Sequence, residues 1–174
     1  LGVNSEIVDI AIESKRYWIC VVPEKREERT TEGGLNLKDA SQRDKIEAAC
    51  AKFKKEIPGV KVSLFVEDDP ETLRRCFAMN IDAVEIHTGD YARAFLEDNP
   101  VEERLESFAR AKELVENAGI GFHAGHGLTD KSLRPLSERS LFSEYNIGHW
   151  IVCDSVFCGL ESSIKKLTTI LKEK

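Results

Sequence analysis

The amino-acid sequence predicts an α/β protein with a parallel sheet. Along its 174 residues, the spacing of apolar residues switches repeatedly between short strand-like runs and helix-like periods, which is typical of alternating β and α units. Glycines, histidines and hydroxyl residues follow several of the predicted strands. A closed (β/α)8 barrel collects its functional residues from the carboxyl ends of many strands, whereas an open doubly wound sheet collects them mainly at one switch point. The sequence therefore favours the barrel, and it contains neither a GxGxxG motif nor a P-loop.

Five short apolar runs are predicted to form strands, because each has the length and the bounding residues of a strand. They are YWICVV at 17–22, VKVSLFV at 60–66, AVEIH at 83–87, GIGFHA at 119–124 and the first few residues of YNIGHWIV at 145–152. Glu85 alternates with Val84 and Ile86, so its carboxylate is expected on the opposite face of its strand, in the lumen of the barrel. There it either forms an ion pair or has a functional role, in which it orients a hydroxyl or stabilises developing positive charge.

Six segments with helical spacing accompany these strands. They cover 5–14, 39–56, 70–79, 101–118, 131–139 and 155–172. Asn4 or Ser5 is suited to be the N-cap of the first helix, and Pro70 suits the first turn of the third. No linker rich in proline, glycine or serine and no repeat interrupts the alternation. Residues 1–174 are therefore expected to form a single domain that is part of one barrel.

Composition limits the class of protein. A chain of 174 residues with 41% hydrophobic content is sufficient for one compact core. The formal net charge of −6 argues against a sequence-independent nucleic-acid-binding protein, which needs a basic face. The five cysteines include no CxxC pair and are expected to be reduced, as in the cytoplasm. We recognise neither a leader peptide nor an apolar run long enough for a bilayer, so a soluble cytoplasmic protein without a membrane partner is expected.

The segment IGFHAGHGL contains the most distinctive candidate site. Gly125 and Gly127 flank His126, so the backbone can approach a ligand and the imidazole is expected to be accessible, as a general acid or base requires. His123 lies within its strand and is expected to be a core or interface residue with satisfied hydrogen bonds. Its spacing of three residues from His126 is poor for chelating one metal ion, so no metal site is predicted. His87 ends its strand, and both a ligand contact and a structural role stay open.

Two further segments suit phosphate binding. Gly148 and His149 lie in NIGH, before the last predicted helix, where the loops of the final barrel strands often bind phosphate through backbone amides. The alternative for this pair is a tight turn followed by the start of a helix. Thr30 and Thr31 lie in TTEGG, which either offers hydroxyls and amides to a phosphorylated sugar or simply forms a turn.

Five segments, in their order and spacing, resemble the pyridoxine 5′-phosphate synthase family of vitamin B6 biosynthesis. They are VPEKREERTTEGGL at 22–35, VSLFVEDDPE at 62–71, EIHTGDYA at 85–92, AGHGL at 124–128 and NIGH at 146–149. The resemblance extends over essentially the whole chain, and several ordered segments are more specific than one short motif. It implies a TIM barrel that condenses 1-deoxy-D-xylulose 5-phosphate with 3-amino-2-oxopropyl phosphate to pyridoxine 5′-phosphate, phosphate and water, without a redox cofactor or metal. It also implies a cytosolic homo-oligomer, usually an octamer.

The same resemblance implies roles for individual residues. Thr30 would contact the pentulose phosphate, Glu85 would stabilise a transition state, and His126 would donate a proton. The residues implied to hold the amino-ketone phosphate are Gly127, Gly148 and His149. These roles agree with the chemistry of the residues, because joining two carbonyl substrates through an imine and losing phosphate and water requires repeated proton transfers.

The sequence departs from the family pattern at its beginning and near its end. LGVNSEIVDIAIESK matches best the end of the family's third strand and the helix after it, which places a catalytic glutamate of the family before Leu1. On this alignment the chain holds about six βα units, with the N-terminal part of the barrel outside it. Alternatively, LGVN is the first strand and Asn4 is a ligand contact. Asp154 stands where the family more often has a basic residue, and a carboxylate near a phosphate is unfavourable.

Two other functions stay open at this point. Six strands cannot close an eight-stranded barrel, so one alternative is a non-catalytic barrel remnant that binds a phosphorylated ligand or serves in assembly. The other is a phosphate-sugar isomerase or aldolase. Such an enzyme would act on a single substrate and would need a lysine or a metal that is not evident at these strand ends.

Overall fold

A computed structural model describes residues 1–24 and 33–173. Within them, five parallel strands form one curled sheet with the shape of a half barrel, in which each strand pairs with the next one along the chain. The strands are β1 (Trp18–Val21), β2 (Lys61–Val66), β3 (Ala83–His87), β4 (Gly121–Gly125) and β5 (Glu144–Asn146). The predicted α/β class with a parallel sheet is thereby confirmed, whereas the count of about six units stays a prediction.

Eight helices occur in the described residues. They are α1 (Ser5–Ser14), α2 (Ala40–Glu56), α3 (Pro70–Phe77), α4 (Gly89–Leu96), α5 (Glu102–Asn117), α6 (Asp130–Glu138), α7 (His149–Cys158) and α8 (Leu160–Lys172). Side-chain caps explain several starts: the Asn4 carboxamide oxygen accepts a hydrogen bond from the Ile7 amide, so Asn4 and not Ser5 is the N-cap of α1. The side chain of Asp69 caps α3 in the same way. None of these helices is long and apolar enough to cross a bilayer, as judged over the described residues.

The end of the chain differs from the sequence prediction. We expected a strand at the start of 145–152 and one helix over 155–172, but β5 is only three residues long and two helices follow it. Gly159, with a φ of 81°, separates α7 from α8. α7 buries none of its residues, so its apolar residues show no helical period and the run resembles a strand.

Alternation along the strands gives the sheet two different faces. The even-numbered residues of β2, β3 and β4 are apolar and buried against the helices: Val62, Leu64, Val66, Val84, Ile86, Phe122 and Ala124. The opposite face, here called the polar face, carries Cys20, Ser63, Phe65, Glu85, His87, His123, Gly125 and Asn146. The register places Glu85 beside His123 and places Gly125 between His87 and Asn146. Glu85 therefore lies on the face opposite Val84 and Ile86, as the alternation predicts.

The backbone of Leu1 pairs with the free edge of β1. The Leu1 amino group donates to the Cys20 carbonyl oxygen at 2.7 Å, and the Val22 amide donates to the Leu1 carbonyl oxygen at 2.9 Å. This pattern is that of a neighbouring parallel strand. LGVN thus occupies the place expected for the end of a strand that precedes α1.

Candidate active site

Two clefts lie side by side at the carboxyl ends of the strands. The first, here called the α4 cleft, has a volume of about 510 Å³ and includes Gly33, Glu67, His87, Gly89 and Arg93. The second, here called the α7 cleft, has a volume of about 670 Å³ and includes Thr129, Asn146, Gly148, His149, Trp150 and Cys153. Both clefts share His126, Gly127 and Leu96 in their walls. His126 therefore stands between two spaces, each large enough for a small phosphorylated molecule.

His126 is held in an unusual backbone conformation directly after β4. Its φ is 79°, a left-handed value that costs a non-glycine residue on the order of 1 kcal/mol. The Thr88 hydroxyl lies 2.8 Å from the carbonyl oxygens of both Gly125 and His126 and so fixes this turn. Partial burial lowers the pKa of the His126 imidazole, and the neighbouring His87 and His149 lower it further. The imidazole is therefore neutral at neutral pH in the free protein.

His87 is oriented by a carboxylate at the end of β2. Its Nδ1 lies 3.1 Å from Oε1 of Glu67, and the same oxygen accepts a hydrogen bond from the Gly34 amide at 2.8 Å. Burial acts to raise the pKa of Glu67, but the hydrogen bonds from His87 and Gly34 outweigh it and lower this pKa. The His87 and His126 ring centres are 5.1 Å apart. His87 thus lines the α4 cleft and is also hydrogen-bonded to Glu67, so both of the roles left open for it are compatible with the structure.

Glycine is required where the two imidazoles meet. A Cβ atom added to Gly89 would lie 2.6 Å from Nε2 of His87 and 3.0 Å from Cδ2 of His126. The first distance is shorter than real Cβ contacts. A larger residue at the start of α4 would therefore push the imidazoles out of their positions.

Glu85 lies across the polar face and is hydrogen-bonded to neutral partners. Oε2 accepts from the Asn146 carboxamide at 2.8 Å and from the Cys20 thiol at 3.5 Å. No salt bridge to Glu85 occurs among the described residues, so the alternative of an ion pair finds no partner there. Burial raises the pKa of Glu85 despite these hydrogen bonds. The side chain is accommodated by Gly125, where an added Cβ would lie 1.9 Å from Oε1.

Each cleft receives the N-terminus of a helix that has no side-chain cap. α7 begins at His149 with Gly148 as its N-cap, and α4 begins at Gly89 after Thr88, whose hydroxyl is used elsewhere. Free amides at a helix N-terminus favour anions. A Cβ added to Gly148 would meet nothing within 4 Å, so this position faces open space. The predicted group of His126, Gly127, Gly148 and His149 is brought together in the α7 cleft.

The expectation that His123 has satisfied hydrogen bonds is wrong. The residue is buried, but within the described residues its Nδ1 has no hydrogen-bond partner. The nearest acidic atom is Oε1 of Glu144 at 3.9 Å. Partial burial lowers the pKa of His123, and Glu144 opposes this only in part. Thr30, which the resemblance implies to contact the pentulose phosphate, lies outside the described residues, as does Thr31.

Asp154 does not line either cleft. Its carboxylate accepts hydrogen bonds from Cys158 at 3.0 Å, Ser163 at 2.7 Å and Lys166 at 3.0 Å. These contacts, that of Cys158 first, lower its pKa to about 2. The negative charge is thus compensated between α7 and α8, which removes the conflict expected with a nearby phosphate.

Sequence reasoning missed two members of this site. Glu67 directly follows β2 in VEDD, and a carboxylate at the end of a buried strand was a usable signal. Asn146 ends β5 and donates a hydrogen bond to Glu85 in β3, two strands away. This contact depends on sheet register and leaves no trace in the sequence. No group of three potential metal ligands occurs in the described part of the chain.

Comparison with known proteins places these residues in a family context. The family model of the pyridoxal phosphate biosynthesis protein PdxJ matches residues 1–173. A pyridoxine 5′-phosphate synthase of Zymomonas mobilis is 37% identical over 98% of this chain and 64% of its own length. The synthases of Photobacterium profundum and Pelagibacter ubique are 41% and 37% identical over 94% and 99% of this chain, and over 65% and 69% of their own lengths. The chain thus spans about two thirds of the length of these relatives.

Proposed function

Because the chain belongs to the PdxJ family of pyridoxal phosphate biosynthesis proteins, we propose that it acts as a pyridoxine 5′-phosphate synthase. The reaction joins 1-deoxy-D-xylulose 5-phosphate and 3-amino-2-oxopropyl phosphate into pyridoxine 5′-phosphate, with release of phosphate and water. The observation that carries this proposal is the pair of clefts that meet at His126, each with an uncapped helix N-terminus. Two anion-binding clefts around one imidazole suit two phosphorylated substrates.

The two substrates are assigned to different clefts. The amino-ketone phosphate occupies the α7 cleft, where the first amides of α7 and the unobstructed backbone at Gly148 receive its phosphate, together with Gly127 and His149. The pentulose phosphate occupies the α4 cleft, next to Gly33 at the end of the segment that contains Thr30. Their carbonyl and amino groups then meet beside His126, which brings the reacting atoms together.

His126 gives a proton to a departing oxygen in this proposal. Its lowered pKa leaves it neutral in the free protein. A phosphate dianion bound in either cleft favours the imidazolium form and raises this pKa again. Substrate binding therefore protonates His126, which later donates this proton. Without a bound substrate, His126 stays neutral.

Glu85 stabilises positive charge as the imine forms and rearranges. Its carboxylate is fixed by Asn146 and Cys20 at a half-buried position, where an uncompensated charge interacts strongly with a neighbouring cation. The raised pKa of Glu85 reflects the cost of this anion when no cation is present. An iminium group nearby lowers that cost, so the interaction is strongest in the transition state.

We also propose a TIM barrel, formed as a single domain, for the architecture, and a cytoplasmic homo-oligomer for the assembly. The curled parallel sheet with helices on its apolar face is the arrangement of part of such a barrel. α7 and α8 expose large apolar side chains, with Val156, Phe157 and Leu160 at 77%, 91% and 62% exposure. A contiguous apolar surface of this kind suits contact with another copy of the chain.

The proposal is tested with the purified full-length protein and its two substrates. We expect one inorganic phosphate for each pyridoxine 5′-phosphate formed, and no phosphate release with either substrate alone. Binding of both substrates without phosphate release would instead identify a non-catalytic binding module. Turnover of one substrate alone would identify an isomerase or aldolase.

A further inference from the structure

We propose that His87 is a second proton-transferring group of the active site and that Glu67 is the residue that positions it, an inference that rests on the proposed function. Nδ1 of His87 and Oε1 of Glu67 are 3.1 Å apart, and both residues line the α4 cleft. The His87 ring also lies beside His126, with ring centres 5.1 Å apart.

The geometry selects one tautomer of His87. A carboxylate oxygen can only accept a hydrogen bond, so Nδ1 carries the hydrogen that it donates to Glu67. Nε2 is then left with its lone pair. Within the described residues, Nε2 has no hydrogen-bond partner, and it lies next to Gly89 in the wall of the cleft. This nitrogen is therefore ready to accept a proton from a bound substrate.

Burial, packing and hydrogen bonding fix the orientation of the His87 ring. The His87 side chain is only 9% exposed, and Phe65 packs against its edge with ring centres 5.4 Å apart. Glu67 is itself fixed by the Gly34 amide. A Cβ on Gly34 would lie 2.5 Å from Cα of Val66, so this close approach of the backbone depends on glycine. The contacts that fix the His87 imidazole thus extend through Glu67 to Gly34, in the segment that precedes α2.

Two adjacent imidazoles allow a proton to be removed and another to be delivered in the same step. In a loss of water, Nε2 of His87 takes a proton from a substrate carbon, and the bonding electrons remain on the substrate to form the new double bond. The hydroxyl leaves with its electron pair and takes a proton from His126, so that water departs. The resulting charge on His87 is balanced by Glu67. Transfer of that proton from His87 to His126 restores the starting state.

The proposal is tested with Glu67→Gln, which keeps an acceptor for Gly34 but removes the charge, and with Glu67→Asp and His87→Asn. Asp82→Asn is the matched control. Like Glu67, the Asp82 carboxylate accepts hydrogen bonds from a backbone amide and a side chain, which here are the Val62 amide and the Lys54 ammonium group. Asp82, however, lies at the amino end of the sheet. Nitrogen NMR of the imidazoles reports the tautomer of His87. The pH profile of kcat reports its part in turnover.

We expect an Nδ1-protonated His87 in the unmodified protein and a mixture of tautomers in Glu67→Gln. We expect kcat to fall about 10- to 100-fold in Glu67→Gln, with an altered pH profile and KM within threefold, and partial recovery in Glu67→Asp. His87→Asn should lose at least as much, and Asp82→Asn should keep the kcat profile. An unchanged tautomer and an unchanged pH profile in Glu67→Gln would overturn the inference. If the unmodified protein forms no product, the proposed function fails, while the tautomer measurement still decides whether Glu67 positions His87.

Discussion

Replacement of Gly125 by alanine tests whether the position of the Glu85 carboxylate matters more for turnover than for stability. The added Cβ would lie 1.9 Å from Oε1 of Glu85 and 2.8 Å from its Cδ. Ordinary contact begins at 3.4 Å, so the carboxylate must move by about 1.5 Å. Because the conflict is with the end of a side chain, Glu85 moves and the strand stays in place.

The cost in stability is small. Movement of Glu85 breaks its hydrogen bond with Asn146, a charged interaction worth about 1.5–3 kcal/mol when buried and about half of that here, because Asn146 is exposed. Alanine restricts the unfolded chain and returns about 0.4–1 kcal/mol. The net loss is between about 0 and 1 kcal/mol, or at most about 2–4 °C in Tm for a chain of this size. Turnover should fall far more, by about 10²-fold, since a misplacement of ~1 Å has this effect on a catalytic group.

Thermal unfolding and phosphate release are measured for Gly125→Ala, Glu85→Ala and the double variant. In the absence of the Glu85 side chain the added methyl group meets no carboxylate, so Gly125→Ala should then cost nothing further in turnover and should be neutral or slightly stabilising. Equal losses in both backgrounds would show that Gly125 acts through the backbone of β4. Turnover close to normal in Gly125→Ala would refute the reasoning.

Three further predictions concern neighbouring residues. His126→Asn should lower kcat by roughly 10²- to 10⁴-fold without lowering Tm, because asparagine tolerates the left-handed backbone; near-normal turnover would remove His126 from the mechanism. Gly148→Val, whose side chain enters open space, should raise the Kd of the amino-ketone phosphate more than that of the pentulose phosphate in calorimetric titrations, and equal weakening would indicate general damage to the loop. The lowered pKa of His123 means that the unfolded chain takes up a proton at about pH 6.5 while the folded protein resists it. The free energy of unfolding should therefore fall as pH drops below about 6.5. Urea titrations at several pH values should show that the free energy of unfolding depends less on pH in His123→Gln.

The sequence predicted those elements in which local and global signals agree. α1 and β3 begin and end where expected, because a capping asparagine and a period-two pattern coincide with burial on one face. α4 was not predicted: it begins with glycine after a threonine whose hydroxyl is committed to the β4 turn. Its start is therefore determined by a tertiary contact. The helix start at His149 was predicted only as an alternative, since α7 has no buried face to impose a helical period on its residues.

The candidate site was predictable where a residue stands out against its immediate neighbours in the sequence. His126 was identified through its flanking glycines, and Glu85 through its place in an apolar strand. The pairing of Glu67 with His87 joins residues twenty positions apart and depends on the order of the strands in the sheet. The missing hydrogen bond of His123 was equally hidden, because the sequence shows that a histidine lies in a strand but not what surrounds its nitrogen atoms.

The two-faced sheet also bears on how such a protein can change during evolution. In β3, Val84 and Ile86 belong to the packed core, whereas Glu85 and His87 lie on the polar face, where His87 lines the α4 cleft. Selection for folding and selection for the chemistry of the polar face therefore act on alternate residues of β3. Substitutions at the odd positions alter the side chains of the polar face while leaving the apolar layer in place. A lineage can therefore change the chemistry of the polar face through single substitutions that keep the apolar core intact.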